Sequence, residues 1–239
     1  MNFPLFGLSI LLILIQGSSV FGEESLPTTT GVSGEIVFKG DRLPPSHSLL
    51  TDADSEFCGD SVPSERIIVN PKTKTIKNAI VLLTPKNPVL KIPSELNSSI
   101  SALLSFKCHF TPHVLVIQKG APLYIKNGDP ILHSFHFYTS NKSLFNLALP
   151  GGPQIIQKEF SQEGIVHVKC DIHEFMEGYI LVNSSPFFAV TRDDGLFDFD
   201  QLDSGDYTLS VWHEVFGKLE QSLHLKSAEH PHLTLGLKP

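Results

Sequence analysis

Apolar and polar residues alternate in short runs along most of this chain. Gly164-Ile165-Val166-His167-Val168-Lys169-Cys170 alternates, with Ile165 out of phase, and Tyr179-Ile180-Leu181-Val182 follows after a short loop. Runs of this length and period predict two β-strands joined by a stiff connection. Residues 31–40 read as an opening strand, residues 76–83 as a second, and Leu123-Tyr124-Ile125-Lys126 as a third. Residues 187–199 read as a hairpin turning at Asp194-Gly195, because glycine supplies the positive φ such a turn requires. Asp203-Ser204-Gly205-Asp206 is another turn, a strand follows over residues 207–212, and residues 222–225 and 232–235 complete the set. Two strands alone do not make a stable sheet, so the strands near residues 36 and 80 need partners elsewhere. Amphipathic helical stretches are hard to find. The predicted fold class is all-β.

One stretch breaks the pattern. Residues 5–15 are almost unbroken apolar, and Val20-Phe21-Gly22 precedes Glu23. The run is short for a bilayer span of ~20 residues and suits the apolar region of a signal peptide over residues 1–22, although no Lys or Arg precedes it. This predicts an exported protein, periplasmic or extracellular, with no membrane span in the mature chain. The net charge is −7 with no basic cluster, which argues against a nucleic-acid partner.

The candidate chemistry lies in the loop after the alternating strand. Cys170-Asp171-Ile172-His173-Glu174-Phe175-Met176 places a thiol, an imidazole and a thioether at C-x-x-H-x-x-M spacing. These donors suit copper better than a hard cation, and a trigonal His₂Cys site with a weak axial Met needs one more imidazole. His133, within residues 127–136, is the best supplier. Each residue alone has a bland explanation, since a lone buried Cys usually acts as a small hydrophobe. Strand parity puts His136 opposite His133 and His167 opposite Cys170, so neither is read as a ligand. A structural zinc site would make poor use of Met176. A binuclear copper centre needs a second Cys in the loop, and a trinuclear cluster needs several His-x-His pairs, whereas this chain has a single one, at His230 and His232. A Cys170–His173 nucleophile has no evident orienting residue or oxyanion hole, so no enzyme activity is expected.

These residues carry a resemblance. The segment over residues 99–183 resembles a cupredoxin of the plastocyanin and amicyanin type: Phe110-Thr111-Pro112 and Val114-Leu115-Val116 look like its F-x-P and following strand, and Gly120, residues 123–126, Asn127 and Asp129 look like the approach to its first ligand. The resemblance implies a Greek-key β-sandwich holding one type 1 copper on His133, Cys170, His173 and Met176. It implies electron transfer to a small redox protein or redox enzyme, with the His173 edge at the surface beside an apolar patch that includes Phe175. The alternative is copper binding or handling, or partner binding, without redox turnover. The chain is expected to be a monomer. If Cys170 is a metal thiolate, Cys58 and Cys108 are left as a possible disulfide, one of three conceivable pairings.

The tail resembles the carboxypeptidase regulatory-like, transthyretin-like sandwiches, whose T-x-x-D-G-x-F pattern is matched by Thr191, Asp194, Gly195 and Phe197, and whose G-x-Y-x-L is matched by Gly205, Tyr207 and Leu209. Asp203 stands where that pattern has Pro. Gly34-Glu35-Ile36 and Ala79-Ile80-Val81 look like the initial strands this tail lacks. The resulting expectation is a discontinuous sandwich over residues 31–98 plus 184–239, with the copper domain inserted.

Overall fold

The computed structural model describes residues 29–87, 100–140 and 142–238. The expected signal segment, residues 1–22, and part of the expected boundary near residue 98 lie outside them. Among the described residues no helix is long and apolar enough to cross a membrane.

The protein is all-β. In chain order the strands are β1 (Val32–Phe38), β2 (Ser48–Leu50), β3 (Ser61–Pro63), β4 (Ile80–Pro85), β5 (Ser101–Phe106), β6 (His109–Thr111), β7 (Val114–Gln118), β8 (Pro122–Asn127) and β9 (His133–Thr139). There follow β10 (Lys142–Leu149), β11 (Ile155–Glu159), β12 (Gly164–Lys169), β13 (Glu177–Asn183), β14 (Phe187–Val190), β15 (Leu196–Phe199), β16 (Gly205–His213), β17 (Gly217–Leu225) and β18 (His232–Leu237). One short helix, α1 (Ser55–Cys58), sits between β2 and β3.

Among the described residues these strands form two pairs of sheets and a two-stranded ribbon, β2-β3. The first pair is β15-β1-β18 and β14-β4-β16-β17, and the second is β10-β9-β12-β13-β7 and β11-β8-β5-β6. β1 runs antiparallel to β15 and parallel to β18, while β4 lies between β14 and β16. The early strands therefore find their partners at the far end of the chain. Ile36, Val81, Phe197, Leu209 and Leu235 belong to the core of the first pair; Phe110, Ile125, Phe135, Val168 and Ile180 belong to that of the second. A smaller cluster of Ile80, Val114 and Val116, flanked by Tyr179 and Trp212, joins the two.

Two local expectations need correction. Residues 187–199 are not a hairpin: β14 pairs with β4, and β15 pairs with β1 in the opposite sheet. Thr191 is the physical reason. Its hydroxyl donates to the Ile76 carbonyl (2.7 Å) and accepts from the Ala79 amide (2.9 Å), which halts β14 and directs the chain across the sandwich. The turn at Gly195 then has φ +70°, and a Cβ there would lie 2.4 Å from that of Thr75. The same bonds occupy residues 76–79, so the second strand starts at Ile80 rather than at residue 76.

The joint between the sandwiches is polar at one edge. His113 directs one ring nitrogen at the Glu177 carbonyl (3.1 Å) and the other at the Glu214 carboxylate, both acceptors. Burial alone would push this imidazole down, but Glu214, helped by Glu65 and Glu177, holds it above its ordinary value. Arg66 spans Glu177 (3.2 Å) and Glu214 (3.3 Å).

His213, one residue from Glu214, behaves oppositely. It is buried against Phe216, with Nδ1 accepting from the Val215 and Phe216 amides. Its Nε2 is buried and has no hydrogen-bond partner among the described residues. Burial, then the charge of His113, pushes it down from 6.5 to about 4. A depressed imidazole stabilises the fold above its unfolded value and loses that contribution as the pH falls. Urea denaturation is therefore expected to show up to about 3 kcal/mol of stability lost between pH ~6.5 and ~4. The loss should be absent in His213→Asn, which keeps an acceptor but does not titrate. Equal pH dependence in both proteins would exclude His213 as the source.

Candidate metal centre

The geometry of the candidate centre begins with strand parity. In β12, Val166 and Val168 face the core while His167 and Lys169 face out, so Cys170 continues the inward set. In β9, His133, Phe135 and Phe137 face inward. Pairing of Val168 with Phe137 and Lys169 with His136 sets Cys170 beside the start of β9. The loop that follows is a closed turn: the Met176 amide donates to the His173 carbonyl (2.9 Å), and the Cys170 amide to the Met176 carbonyl (3.1 Å).

The result brings His133, Cys170 and His173 together, all buried, with one donor atom of each within 4.8 Å of the others. His133 Nδ1 lies 3.1 Å from His173 Nδ1, which lies 3.5 Å from Cys170 Sγ. Met176 is buried in the same core cluster as Cys170. His136 and His167 stay outside; His136 meets Asp171 (2.9 Å) and His167 meets Glu177 (3.0 Å) on the outer face.

Outer partners orient both imidazoles. Nε2 of His133 is 2.9 Å from Asp129 Oδ2, and Nε2 of His173 is 3.0 Å from Asp54 Oδ2. Burial, reinforced by the neighbouring His173, holds His133 below its ordinary value despite the bond to Asp129, so the ring is neutral at pH 7. A neutral imidazole has one N–H, and a carboxylate at Nε2 claims it, leaving the Nδ1 lone pair facing inward. Carboxylate–histidine pairs of this kind raise the basicity of a metal ligand.

The sulfur is also attended. Cys170 is a free thiol, and the Ser134 amide points at its Sγ (3.4 Å) with the Ser134 hydroxyl at 3.8 Å. The hydroxyl oxygen also accepts the Asp171 amide (2.6 Å). Cys58 and Cys108 form a disulfide, so Cys170 is not consumed in a bridge.

The loop before His133 is fixed by Asn127, whose amide donates to the Ile131 and Leu149 carbonyls (2.7 and 2.8 Å) and whose Oδ1 accepts Ser105 Oγ (2.6 Å) and the Asp129 amide (2.9 Å). Asp129 in turn accepts the amides of Lys107 (2.7 Å) and Cys108 (3.0 Å).

One expectation fails. The His173 edge does not reach the surface: its side chain is 0% exposed. Residues 48–64 lie over it, and Phe175 packs edge-on against His173 and faces a small cavity bordered by Leu49, Val62 and Pro63. Sequence reasoning assigned no role to Asp54 or Ser134. Neither spacing nor residue type marks either one.

No protein-family model matches the sequence, and no curated protein matches it. Among solved structures, the chain is similar to copper-containing nitrite reductase from Thermus scotoductus SA-01, at 20% identity over 36% of this chain and 23% of that one, with a TM-score of 0.33. It is similar to a purple cupredoxin from Nitrosopumilus maritimus at 22% identity, 35% and 99% coverage, and a TM-score of 0.31. Amicyanin from Paracoccus versutus is similar at 19% identity, 43% and 97% coverage, and a TM-score of 0.32. The chain thus spans less than a quarter of the nitrite reductase.

Proposed function

We propose that this protein binds one copper ion at His133, Cys170, His173 and Met176 and transfers single electrons, without enzymatic turnover of its own. The observation that carries this reading is the convergence of two imidazole Nδ1 atoms and a free thiol in one buried place, with each Nε2 claimed by a carboxylate. Two imidazoles, a thiolate and a distant thioether are the donors of an electron-transfer copper site. When bound, copper supplies a one-electron couple. The chain's part is to hold the ligands so that neither oxidation state needs rearrangement. The closed turn over residues 170–176 fixes His173 and Met176, the Ser134 amide stabilises the thiolate, and Phe110, Phe135 and Phe137 keep water out. An electron arrives from one redox protein or enzyme and leaves to another.

Export to the periplasm or outside the cell accords with a disulfide beside the site, since such bonds persist in oxidising compartments. The strand pairings support a division into one discontinuous sandwich, residues 31–98 plus 184–239, carrying residues 99–183 as an insert.

A second reading, copper handling without redox turnover, is favoured by the burial of His173, which leaves that ligand no exposed edge. The visible spectrum of the purified copper-loaded protein separates the two. Electron transfer predicts an intense absorption bleached by reductant and restored by oxidant. A colourless protein that binds only Cu(I) would overturn it in favour of handling.

A further inference from the structure

Residues 48–64 form a strap across the end of the sandwich where the ligands meet. Several contacts hold it there, among them one from His109 Nε2 to the Pro63 carbonyl (3.2 Å). Asp54 Oδ2 accepts His173 Nε2–H (3.0 Å), Asp52 Oδ2 accepts the Glu174 amide (3.0 Å), and Cys58 is bonded to Cys108. Asp54 sits at the head of α1 with φ +49°, a region non-glycine residues seldom occupy, and its carbonyl accepts the Phe57 and Cys58 amides (both 2.9 Å). Local strain of this kind persists when surrounding contacts enforce it. Here they aim one carboxylate at one imidazole.

The disulfide also joins the two outer carboxylates. Asp54 lies four residues before Cys58, and the amide of its partner Cys108 donates to Asp129, which holds His133. Both imidazoles are therefore backed by acids tied to one covalent link. Asp52, Glu56 and Asp60 continue the acidic character of the strap, and no Lys or Arg lies within residues 48–64.

We propose that Asp54 is a positioning residue for the metal centre: carried on the strap, it holds His173 with Nδ1 turned toward Cys170 and His133, and the strap closes the surface through which that imidazole would otherwise meet a redox partner. This rests on the copper reading above. It implies that the carboxylate strengthens His173 as an electron donor to the metal and so favours the higher oxidation state, and that electrons enter and leave by a route other than the His173 edge.

The test uses the full chain with its disulfide intact, in the wild type, Asp54→Ala and Asp54→Asn. In the metal-free protein, nitrogen-15 NMR of the histidine side chains should show His173 as the Nε2–H tautomer, protected from exchange with water. Asp54→Ala should lose that protection while the Nε2–H of His133, bonded to Asp129, keeps it, which serves as the folding control. In the copper-loaded protein, Asp54→Ala should weaken copper binding by about 10–100-fold, the usual effect of removing an outer partner of a ligand. Asp54→Asn keeps an oxygen acceptor without the charge. It should retain the protected resonance and raise the reduction potential. If wild-type protein binds copper with a reversible couple but both variants match it in protection, affinity and potential, the positioning role is overturned and the copper reading stands. If wild-type protein binds no copper, the copper reading fails and takes the proposal with it.

Discussion

A Cys170→Ser variant is expected to lose the visible absorption of the copper-loaded protein completely and to bind copper more than a hundredfold more weakly, since even an outer partner of a ligand is worth about 10–100-fold. Serine is close to cysteine in size and keeps the fold, so far-ultraviolet circular dichroism should be unchanged. The difference is chemical. A thiol becomes a thiolate on metal binding, whereas a hydroxyl stays protonated near neutral pH and offers a hard oxygen where a soft sulfur is needed. The Ser134 amide, 3.4 Å from the sulfur, would then face a neutral group in place of an anion. Competition against a copper chelator, read with the spectrum, measures both effects. A variant that keeps its colour would remove Cys170 from the ligand set, and the remaining histidines would have to find another partner.

The cysteine could be read from the chain because parity is a local property. Alternation along residues 164–170 says which way Cys170 points, and the short interval to residue 179 says that His173 and Met176 sit in a stiff turn. What could not be read depends on contacts between segments far apart. Asp54 reaches His173 across 119 residues from a stretch without hydrophobic period, so neither spacing nor pattern connects them. The expected surface edge of His173 failed for the same reason: the resemblance concerned residues 99–183 alone, and the cover comes from residues 48–64. The misread hairpin at residues 187–199 is a related case. Asp194-Gly195 marks a turn, but which sheet each arm joins is decided by Thr191 bonding to residues 76 and 79.

The burial of His173 changes what the fold must do. A ligand edge at the surface needs little else for electron exchange, because a partner can dock on it. With that edge covered, the outward-facing groups next to Cys170 in sequence are Lys169 and Asp171, the latter tied to His136 and to Asn146 (2.6 Å) on the outer face of β9 and β10. The carboxylates behind the two histidines differ in the same way. Asp54 is 45% exposed and joins a ligand to a strap, whereas Asp129 is 2% exposed and joins a ligand to the core.

That contrast makes Asp129→Ala the most damaging single change expected for the metal-free fold. Asp129 accepts from the Lys107 amide, the Cys108 amide and His133 Nε2, so its loss strands three donors around a closed site. Each unsatisfied buried donor costs about 1–3 kcal/mol, which puts the loss for three at about 3 kcal/mol or more. Urea denaturation should therefore show a loss of this size before any copper is added. Lys107 and Cys108 both have positive φ, +51° and +59°, and the turn they form presents its amides to this carboxylate. Without it, that turn relaxes together with the disulfide it carries. Asp129→Asn should fall between, because its oxygen accepts one donor well while its NH₂ confronts another. Asp54→Ala, by contrast, strands one buried donor, His173 Nε2–H, and should cost the metal-free protein about 1–3 kcal/mol. Equal stabilities for Asp129→Ala and wild type would mean that the carboxylate does not hold this turn, and the orientation assigned to His133 would lose its support.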